Sequence, residues 1–163
     1  MPDISKVQSD NSTFSLKSEV RVPRPIGEVF TFFSDARNLE KLTPNSLRFK
    51  IFAPCPLMMQ VGTLIDYSIR IHGMPLRWRS EIVVWEPPFR FVDEQLRGPY
   101  KTWIHEHKFV GLDGHTLVSD KVDYCPRVSW LTYKWVERDL KKIFEYRHQK
   151  LSLVFGLTKK KKG

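Results

Sequence analysis

The sequence predicts an α+β domain, in which a curved antiparallel sheet of seven strands is accompanied by two short helices and a long C-terminal helix. Residues 62–124 alternate apolar and polar side chains between turn-forming residues, which is typical of consecutive antiparallel strands. Two shorter alternating segments precede them. Residues 128–155 instead repeat apolar side chains every three or four positions, as a long amphipathic helix does. Because helices and strands are segregated along the chain, the pattern favours the α+β class.

The first strand and the two short helices come from the N-terminal part of the chain. Alternation over residues 14–22 predicts a strand, which ends at the prolines that follow it. Pro25 suits the first turn of a helix over residues 26–33. A second short helix is predicted over residues 36–42, because Pro44 disfavours its continuation.

The remaining strands are separated by short turns. Alternation at Leu47, Phe49 and Ile51 predicts the second strand. Five more strands follow, divided by turn-forming residues at 73–75, 87–88, 98–100 and 113–114. The Asp-Gly pair at the last of these turns favours a type I′ hairpin.

One face of these five strands is apolar but also carries polar side chains. Side chains alternate between the faces of a strand, so pairing partners can be counted outward from each turn. The polar residues on the apolar face are Asp93, Gln95, His105, His107 and Asp120. Burying such groups without partners is costly, so we expect this face to line a partly polar cavity.

The long helix carries one charge on its apolar stripe. Arg147 falls between Phe144 and Leu151, where a charge is unexpected. It would form a buried ion pair with Asp93 or Asp120, hold an anionic group of a ligand, or pack its stem and send its head to water. The buried ion pair is the favoured interpretation.

The composition is that of one globular domain of 163 residues. We expect residues 1–12 to be a disordered segment, residues 13–156 to be a ligand-binding domain and residues 157–163 to be a basic tail. The first residues lack the apolar core of a signal peptide, and no apolar run reaches the ~20 residues of a membrane span. Cys55 and Cys125 lack metal-ligand spacing, which favours free thiols and a cytoplasmic location.

The net charge of +9 does not by itself predict a nucleic-acid partner. Four of the charges belong to the lysine run at 159–162, and no nucleic-acid-binding motif accompanies them. We therefore expect no specific nucleic-acid partner. We expect the protein to be a monomer or weak homodimer and to bind a small hydrophobic molecule.

Several phrases of the sequence resemble the START-like, or SRPBCC, superfamily, whose helix-grip fold is shared with the birch-pollen allergens. They are VPRPIGEVF at 22–30, NLEKLTP at 38–44, GTLIDY at 62–67, WEPPFRF at 85–91, QLRGPY at 95–100, WIHEHKF at 103–109 and IFEYR at 143–147. The chain is most similar to the bacterial branch labelled cyclase/dehydrase-like or coenzyme-Q-binding-like. The resemblance implies a cavity between the sheet and the long helix, with no metal and no cofactor. Because the superfamily holds binders, transporters and a few cyclases, it does not imply one ligand.

Counting from two turns pairs histidines with aspartates. The turn at 98–100 places Asp93 opposite His105, and also Phe91 opposite His107 and Gln95 opposite Trp103. The turn at 113–114 places His107 opposite Asp120, and also Trp103 opposite Tyr124. A carboxylate favours the charged form of an imidazole and fixes its orientation. These pairs would either satisfy one another and fix the strand register, which is the favoured interpretation, or serve as a proton donor and acceptor.

The sequence His105-Glu106-His107 also raises the question of a metal. In a strand Glu106 points away while the two histidines share a face, and Asp93 or Asp120 would complete a set of two histidines and one carboxylate. Since carboxylate partners already account for the histidines, we favour the absence of a metal.

Aromatic residues on the inner face are candidates for contact with a flat ligand. Tyr67, Trp78, Trp103 and Tyr124 would stack on it and reach its polar edge, or would simply fill the core. The full candidate set for ligand binding is Tyr67, Trp78, Phe91, Gln95, Trp103, Tyr124, Leu140 and Phe144.

The favoured function is binding, for transport or sequestration, of a small hydrophobic or aromatic molecule such as a lipid, quinone or polyketide. The first alternative is an enzyme resembling polyketide cyclases or aromatases, with His105 or His107 as general acid and base and with Asp93, Asp120 and Arg147 as the other catalytic candidates. The second alternative is an interaction protein with a filled cavity.

Overall fold

Eight antiparallel strands and three α-helices make up the fold in a computed structural model that describes residues 3–6, 13–52, 59–127 and 133–156. The sheet has the order β1-β2-β8-β7-β6-β5-β4-β3. Its strands are β1 (Asp3–Lys6), β2 (Phe14–Val22), β3 (Lys50–Ile51), β4 (Leu64–Ile71), β5 (Met74–Glu86), β6 (Arg90–Arg97), β7 (Tyr100–Leu112) and β8 (His115–Pro126). The helices are α1 (Ile26–Phe33), α2 (Arg37–Lys41) and α3 (Tyr133–Val154), with a 3₁₀ turn at Asn45–Leu47.

The chain order explains why a cavity forms. Strands β4 to β8 follow one another as hairpins, while β2 returns to pair with β8, with Leu16 opposite Val122. The helices α1 and α2 fall in the connection between β2 and β3, and α1 packs on β7 and β8. The long helix α3 follows the last strand and contacts β2. The concave sheet is thus covered by α1, α2 and α3.

The core divides into two apolar clusters. One lies around α1 and the C-terminal part of α3, where Phe30, Phe109 and Leu151 pack together. The other lies around the N-terminal part of α3 and includes Trp78 and Phe144. The aromatic residue Tyr67 packs against both clusters.

The predicted helix-grip architecture is confirmed, with seven strands, two short helices and a long C-terminal helix as expected. The sheet has one further strand, because residues 3–6 pair with β2 at its edge. The rest of the predicted N-terminal segment, Cys55, the start of the predicted long helix at 128–132 and the basic tail at 157–163 lie outside the described residues.

One turn is placed differently from the prediction. The hairpin between β4 and β5 closes at His72 and Gly73, which both have positive φ, of 50° and 83°. Met74 and Pro75 therefore belong to β5, where Pro75 pairs with Arg70. The physical reason is that two consecutive residues with positive φ give the twist that a tight hairpin needs.

The helices within the described residues include none that is long and apolar enough to cross a bilayer.

Candidate functional site

A cavity of about 170 Å³ lies between the concave face of the sheet and the helices. Its walls come from strands β4 to β7, from α1 and α2, and from α3. Most of the lining is apolar, including Ile69, Trp78 and Phe144. The ionisable residues in the wall include Asp93, His105, His107 and Arg147. The cavity is therefore an apolar chamber with a charged cluster in its wall.

Strand alternation positions the charged cluster. Asp93 on β6, His105 and His107 on β7 and Asp120 on β8 project from the inner face, and the register pairs Asp93 with His105 and His107 with Asp120. Arg147 reaches the same point from α3. Both predicted cross-strand pairings are confirmed.

The hydrogen bonds of the cluster do not follow those pairings alone. Both histidines direct one ring nitrogen at the same oxygen of Asp120, with His105 Nε2 at 3.0 Å and His107 Nδ1 at 2.9 Å from Oδ1. The opposite nitrogens face Asp93, whose Oδ1 lies 3.1 Å from His107 Nε2 and 3.8 Å from His105 Nδ1. The expectation of two separate pairs is thus replaced by one four-residue cluster, because neighbouring side chains on β7 are close enough to share partners.

Arg147 forms the buried ion pair that the sequence favours. Its Nε lies 3.2 Å from Asp120 Oδ2, and its Nη2 lies 3.3 Å from Asp120 Oδ1. The guanidinium also lies 5.2 Å from the centre of the Phe33 ring, a cation–π contact. Arg147 and Asp120 are both buried, so water does not solvate their charges. Each side chain therefore balances the charge of the other.

The surroundings shift the pKa values of the cluster residues in different directions. Burial opposes ionisation of Asp120, but the Arg147 guanidinium and the two histidines hold the pKa of Asp120 well below its usual value. Burial and the neighbouring His107 lower the pKa of His105. Burial acts on His107 too, but hydrogen bonds to Asp120 and Asp93 raise its pKa. His107 is therefore the histidine that holds a proton more tightly.

The cluster lies between the two apolar halves of the core. The His107 ring stacks on Phe91, with ring centres 4.1 Å apart and planes at 19°. The His105 ring meets Phe144 at 5.8 Å and Trp103 at 6.4 Å. These rings fix the imidazoles in place and exclude bulk water from one side of the cluster.

An aromatic wall continues from the cluster along the cavity. Tyr67 stacks on Trp78, with ring centres 5.6 Å apart, and Trp78 meets Trp103 edge-on at 5.2 Å. The indole of Trp78 donates a hydrogen bond of 3.1 Å to Ser80 Oγ, so its polar atom is satisfied within the protein. The wall therefore presents mainly ring faces and edges to the cavity.

The structure places six of the eight predicted ligand-binding residues in the cavity wall. Those six are Tyr67, Trp78, Phe91, Trp103, Leu140 and Phe144. Gln95 lies just beyond the last β6–β7 register pair, that of Glu94 with Ile104, and its side chain bonds the backbone of Tyr100 instead. The Tyr124 ring is buried against Phe14 and Tyr100 behind the wall. Among the predicted catalytic candidates, Asp120 also lies behind the wall.

Further lining residues come from the helical side and were not predicted. Phe33 of α1, Leu42 after α2 and Phe49 before β3 all line the cavity. Their apolar character indicates burial, but which buried residues border a space depends on how α1 and α2 dock. Strand alternation gives no signal for that docking.

A contact between a hairpin and α3 borders the site. His72 Nε2, in the β4–β5 turn, lies 2.7 Å from Asp139 Oδ2 on α3. The neighbouring Ile71, Leu140 and Ile143 line the cavity, so this contact ties together two of its walls. Sequence reasoning missed it, because the two residues are 67 positions apart and both are ordinary surface types.

The sequence profile of one protein family, described as "Polyketide cyclase / dehydrase and lipid transport", matches residues 22–152. Among curated proteins, no sequence is similar enough to match this chain.

Solved structures from bacteria and a plant share the fold. Protein CV1439 from Chromobacterium violaceum has a TM-score of 0.69 at 13% identity, covering 86% of this chain and 96% of that chain. Zhui aromatase/cyclase from Streptomyces sp. R1128 has a TM-score of 0.68 at 14% identity, covering 85% of this chain and 91% of that chain. Major latex-like protein 151 from Panax ginseng has a TM-score of 0.64 at 12% identity, covering 89% of this chain and 99% of that chain. At these identities the likeness establishes the fold.

Proposed function

We propose that this chain, which belongs to the polyketide cyclase/dehydrase and lipid transport family, binds a small, flat, hydrophobic molecule in the cavity between the sheet and α3. The molecule would carry one polar oxygen group directed at His105 and Asp93. The observation that supports the proposal most strongly is the composition of the cavity wall, in which aliphatic and aromatic side chains predominate and Asp93, His105, His107 and Arg147 form one ionisable cluster. Small-molecule sites commonly combine an apolar lining with a few convergent polar groups.

The cavity volume sets the size of the ligand. An apolar cavity of about 150 Å³ is enough to hold benzene, and this cavity measures about 170 Å³. Ligand sites for drug-sized molecules are larger, at about 300–1,000 Å³. A molecule with one or two rings therefore suits the cavity as it stands, whereas a long polyketide or isoprenoid would require displacement of its walls.

The polar end of the ligand would be recognised by His105. Its Nε2 lies 3.0 Å from Asp120, so in the tautomer that donates from Nε2 the other nitrogen is a hydrogen-bond acceptor. That nitrogen, Nδ1, is 3.8 Å from Asp93 Oδ1, beyond hydrogen-bond distance, and His105 lines the cavity. A ligand hydroxyl would donate to it, which favours phenols and other hydroxylated aromatic molecules.

Native mass spectrometry of the protein purified from its own host tests the proposal, followed by solvent extraction and identification of the released molecule. A reproducible bound molecule with an aromatic ring and an oxygen substituent is the expected result. A protein that carries none and that also fails to bind a panel of substituted phenols and naphthols would overturn the proposal.

The same experiment separates binding from catalysis. A cyclase-like enzyme would convert the extracted molecule or its open-chain precursor, whereas a binding protein would release it unchanged. Turnover that is lost in His105→Ala while binding is only weakened would favour the enzyme. An unaltered protein that leaves candidate polyketides unchanged would favour the binder.

A further inference from the structure

We propose that Asp93, His105 and His107 form a site for one divalent transition-metal ion, such as Zn²⁺ or Fe²⁺, in the wall of the cavity. Each residue offers one ligand atom, and the three atoms lie within 4.8 Å of one another. Two neutral imidazoles and one carboxylate are a ligand set that suits these ions.

The distances are close to those of a bound ion. Metal–ligand bonds of about 2.0–2.2 Å separate neighbouring ligand atoms by about 3–3.5 Å in a tetrahedral or octahedral site. Asp93 Oδ1 and His107 Nε2 already lie 3.1 Å apart, and Asp93 Oδ1 and His105 Nδ1 lie 3.8 Å apart. Contraction of the set by about 1 Å, through small side-chain rotations, would complete it.

Asp120 supplies the second, independent observation. A metal-bound histidine usually donates the N–H of its other nitrogen to a carboxylate, which fixes the ring and its tautomer. Here the far nitrogens of both histidines converge on one oxygen, Asp120 Oδ1, at 3.0 and 2.9 Å. In the tautomers that donate to Asp120, His105 Nδ1 and His107 Nε2 are the nitrogens left to bind an ion, and a bound ion would replace the hydrogen bond between His107 Nε2 and Asp93. A cluster built only to satisfy two His–Asp pairs does not require both rings to share one oxygen.

Arg147 keeps Asp120 in this outer role. Its guanidinium contacts both oxygens of Asp120, at 3.2 and 3.3 Å, and so balances that charge from the side of α3. Asp93 is the remaining carboxylate of the cluster, and its Oδ1 faces the two histidine nitrogens that are not directed at Asp120. The charges thus divide into an outer Asp120–Arg147 pair and an inner carboxylate available to a cation.

The ion would remain open to a ligand from the cavity. Asp93, His105 and His107 all line the cavity, whereas Asp120 lies behind them. A site with three protein ligands keeps further coordination positions for water or substrate. In this arrangement the oxygen of a bound molecule would bind the metal directly, which replaces its hydrogen bond to His105 Nδ1 in the metal-free protein.

The charge balance indicates which molecules would coordinate. With neutral histidines, the two aspartates and Arg147 sum to one negative charge, so a divalent ion leaves the site with one positive charge. An anionic oxygen donor, such as a phenolate, enolate or carboxylate, would neutralise it in a dry environment. This assignment of the ligand rests on the proposed binding function, whereas the metal site itself does not.

Titration of the untagged, full-length protein with Co²⁺ tests the metal site. We expect one Co²⁺ per chain, visible absorption bands of an ion with histidine ligands, and a rise in the thermal unfolding temperature. Asp93→Asn and His107→Gln should each weaken Co²⁺ binding by at least ~100-fold, and Asp120→Asn by ~10–100-fold, as outer partners do. His115→Gln is the matched control, because His115 is exposed on the β7–β8 hairpin. This variant should bind Co²⁺ as tightly as the unaltered protein does.

The unaltered protein also gives a result that does not depend on the folding of variants. In NMR spectra of the ring nitrogens, Co²⁺ should strongly shift His105 and His107 while His115 remains unshifted. Substoichiometric binding, or shifts spread equally over exposed histidines, would overturn the metal site. Binding of 2-naphthol to chelator-treated protein separates the two proposals, because its persistence would support the cavity function even where the metal site fails.

Discussion

The Nε of Arg147 lies 3.2 Å from Oδ2 of Asp120, so a buried ion pair joins α3 to the centre of the sheet. The two residues come from the elements on either side of the cavity. Their attraction therefore fixes the distance between α3 and the sheet. It acts where the two elements meet through ionisable side chains instead of apolar ones. Without this link, the cluster would hold two carboxylates with only histidines to balance them.

Arg147→Met should lower the free energy of unfolding by about 3–5 kcal/mol, because it leaves Asp120 buried without its strongest charge partner. Arg138→Met makes the same chemical change at an exposed position of the same helix and should alter the free energy by less than about 0.5 kcal/mol. Chemical denaturation followed by circular dichroism measures both. Equal effects of the two substitutions would show that the ion pair does not stabilise the fold.

Ile143→Trp should abolish binding of small aromatic molecules, because Ile143 lines the cavity and the larger ring would occupy a space of about 170 Å³. Leu153→Trp places the same ring on the exposed side of α3, where 74% of Leu153 is accessible, and should leave binding unchanged. Calorimetric titration with 2-naphthol measures both variants. Unaltered binding in Ile143→Trp would locate the ligand elsewhere.

His72→Ala should speed both entry and release of a ligand while changing its equilibrium affinity little. The 2.7 Å contact of His72 with Asp139 ties the β4–β5 hairpin to α3 beside the cavity. Because both side chains are partly in water, the loss of stability should stay below about 1 kcal/mol. Stopped-flow tryptophan fluorescence gives the rates, and His115→Ala is the control. If the rates stay the same while affinity falls, the contact shapes the site instead of gating it.

Gly98→Ala should destabilise the β6–β7 hairpin by about 1–2 kcal/mol. A Cβ at Gly98 would collide with the side chain of Gln95, which holds the backbone of Tyr100 through two hydrogen bonds. In a Gln95→Ala background the same substitution should cost almost nothing further, which thermal unfolding would show. Gly27→Ala in α1 is a suitable comparison, because its Cβ would meet open space and alanine favours a helix.

The cross-strand pairings could be predicted because two turns set the register independently. The glycine-containing turns before Tyr100 and His115 fix β6, β7 and β8 relative to one another, so Asp93 and Asp120 could be assigned to the correct histidines. The hydrogen bonds could not be predicted, because they depend on side-chain torsions that strand alternation does not determine. Hence the sharing of Asp120 Oδ1 by both rings emerges only from the structure.

The charge on the apolar stripe of α3 was equally informative. A buried arginine needs a carboxylate, so the sequence predicted an ion pair for Arg147. It could not distinguish Asp93 from Asp120, because the rotation of α3 over the sheet is a matter of tertiary packing. Tertiary packing also decides the positions of Gln95 and Tyr124, which are on the predicted face of the sheet. Gln95 lies at the end of that face, and Tyr124 lies behind the aromatic wall.

The most direct test of ligand binding in the cavity is an NMR titration of the unaltered protein with 2-naphthol, observed at the indole N–H groups. Trp78 and Trp103 lie in the cavity wall, whereas Trp135 is 63% exposed on α3 and serves as an internal control. We expect saturable shifts of Trp78 and Trp103 with no change at Trp135. Absence of saturable shifts at the two wall residues, or equal shifts at all three, would contradict the claim that the cavity binds small aromatic molecules.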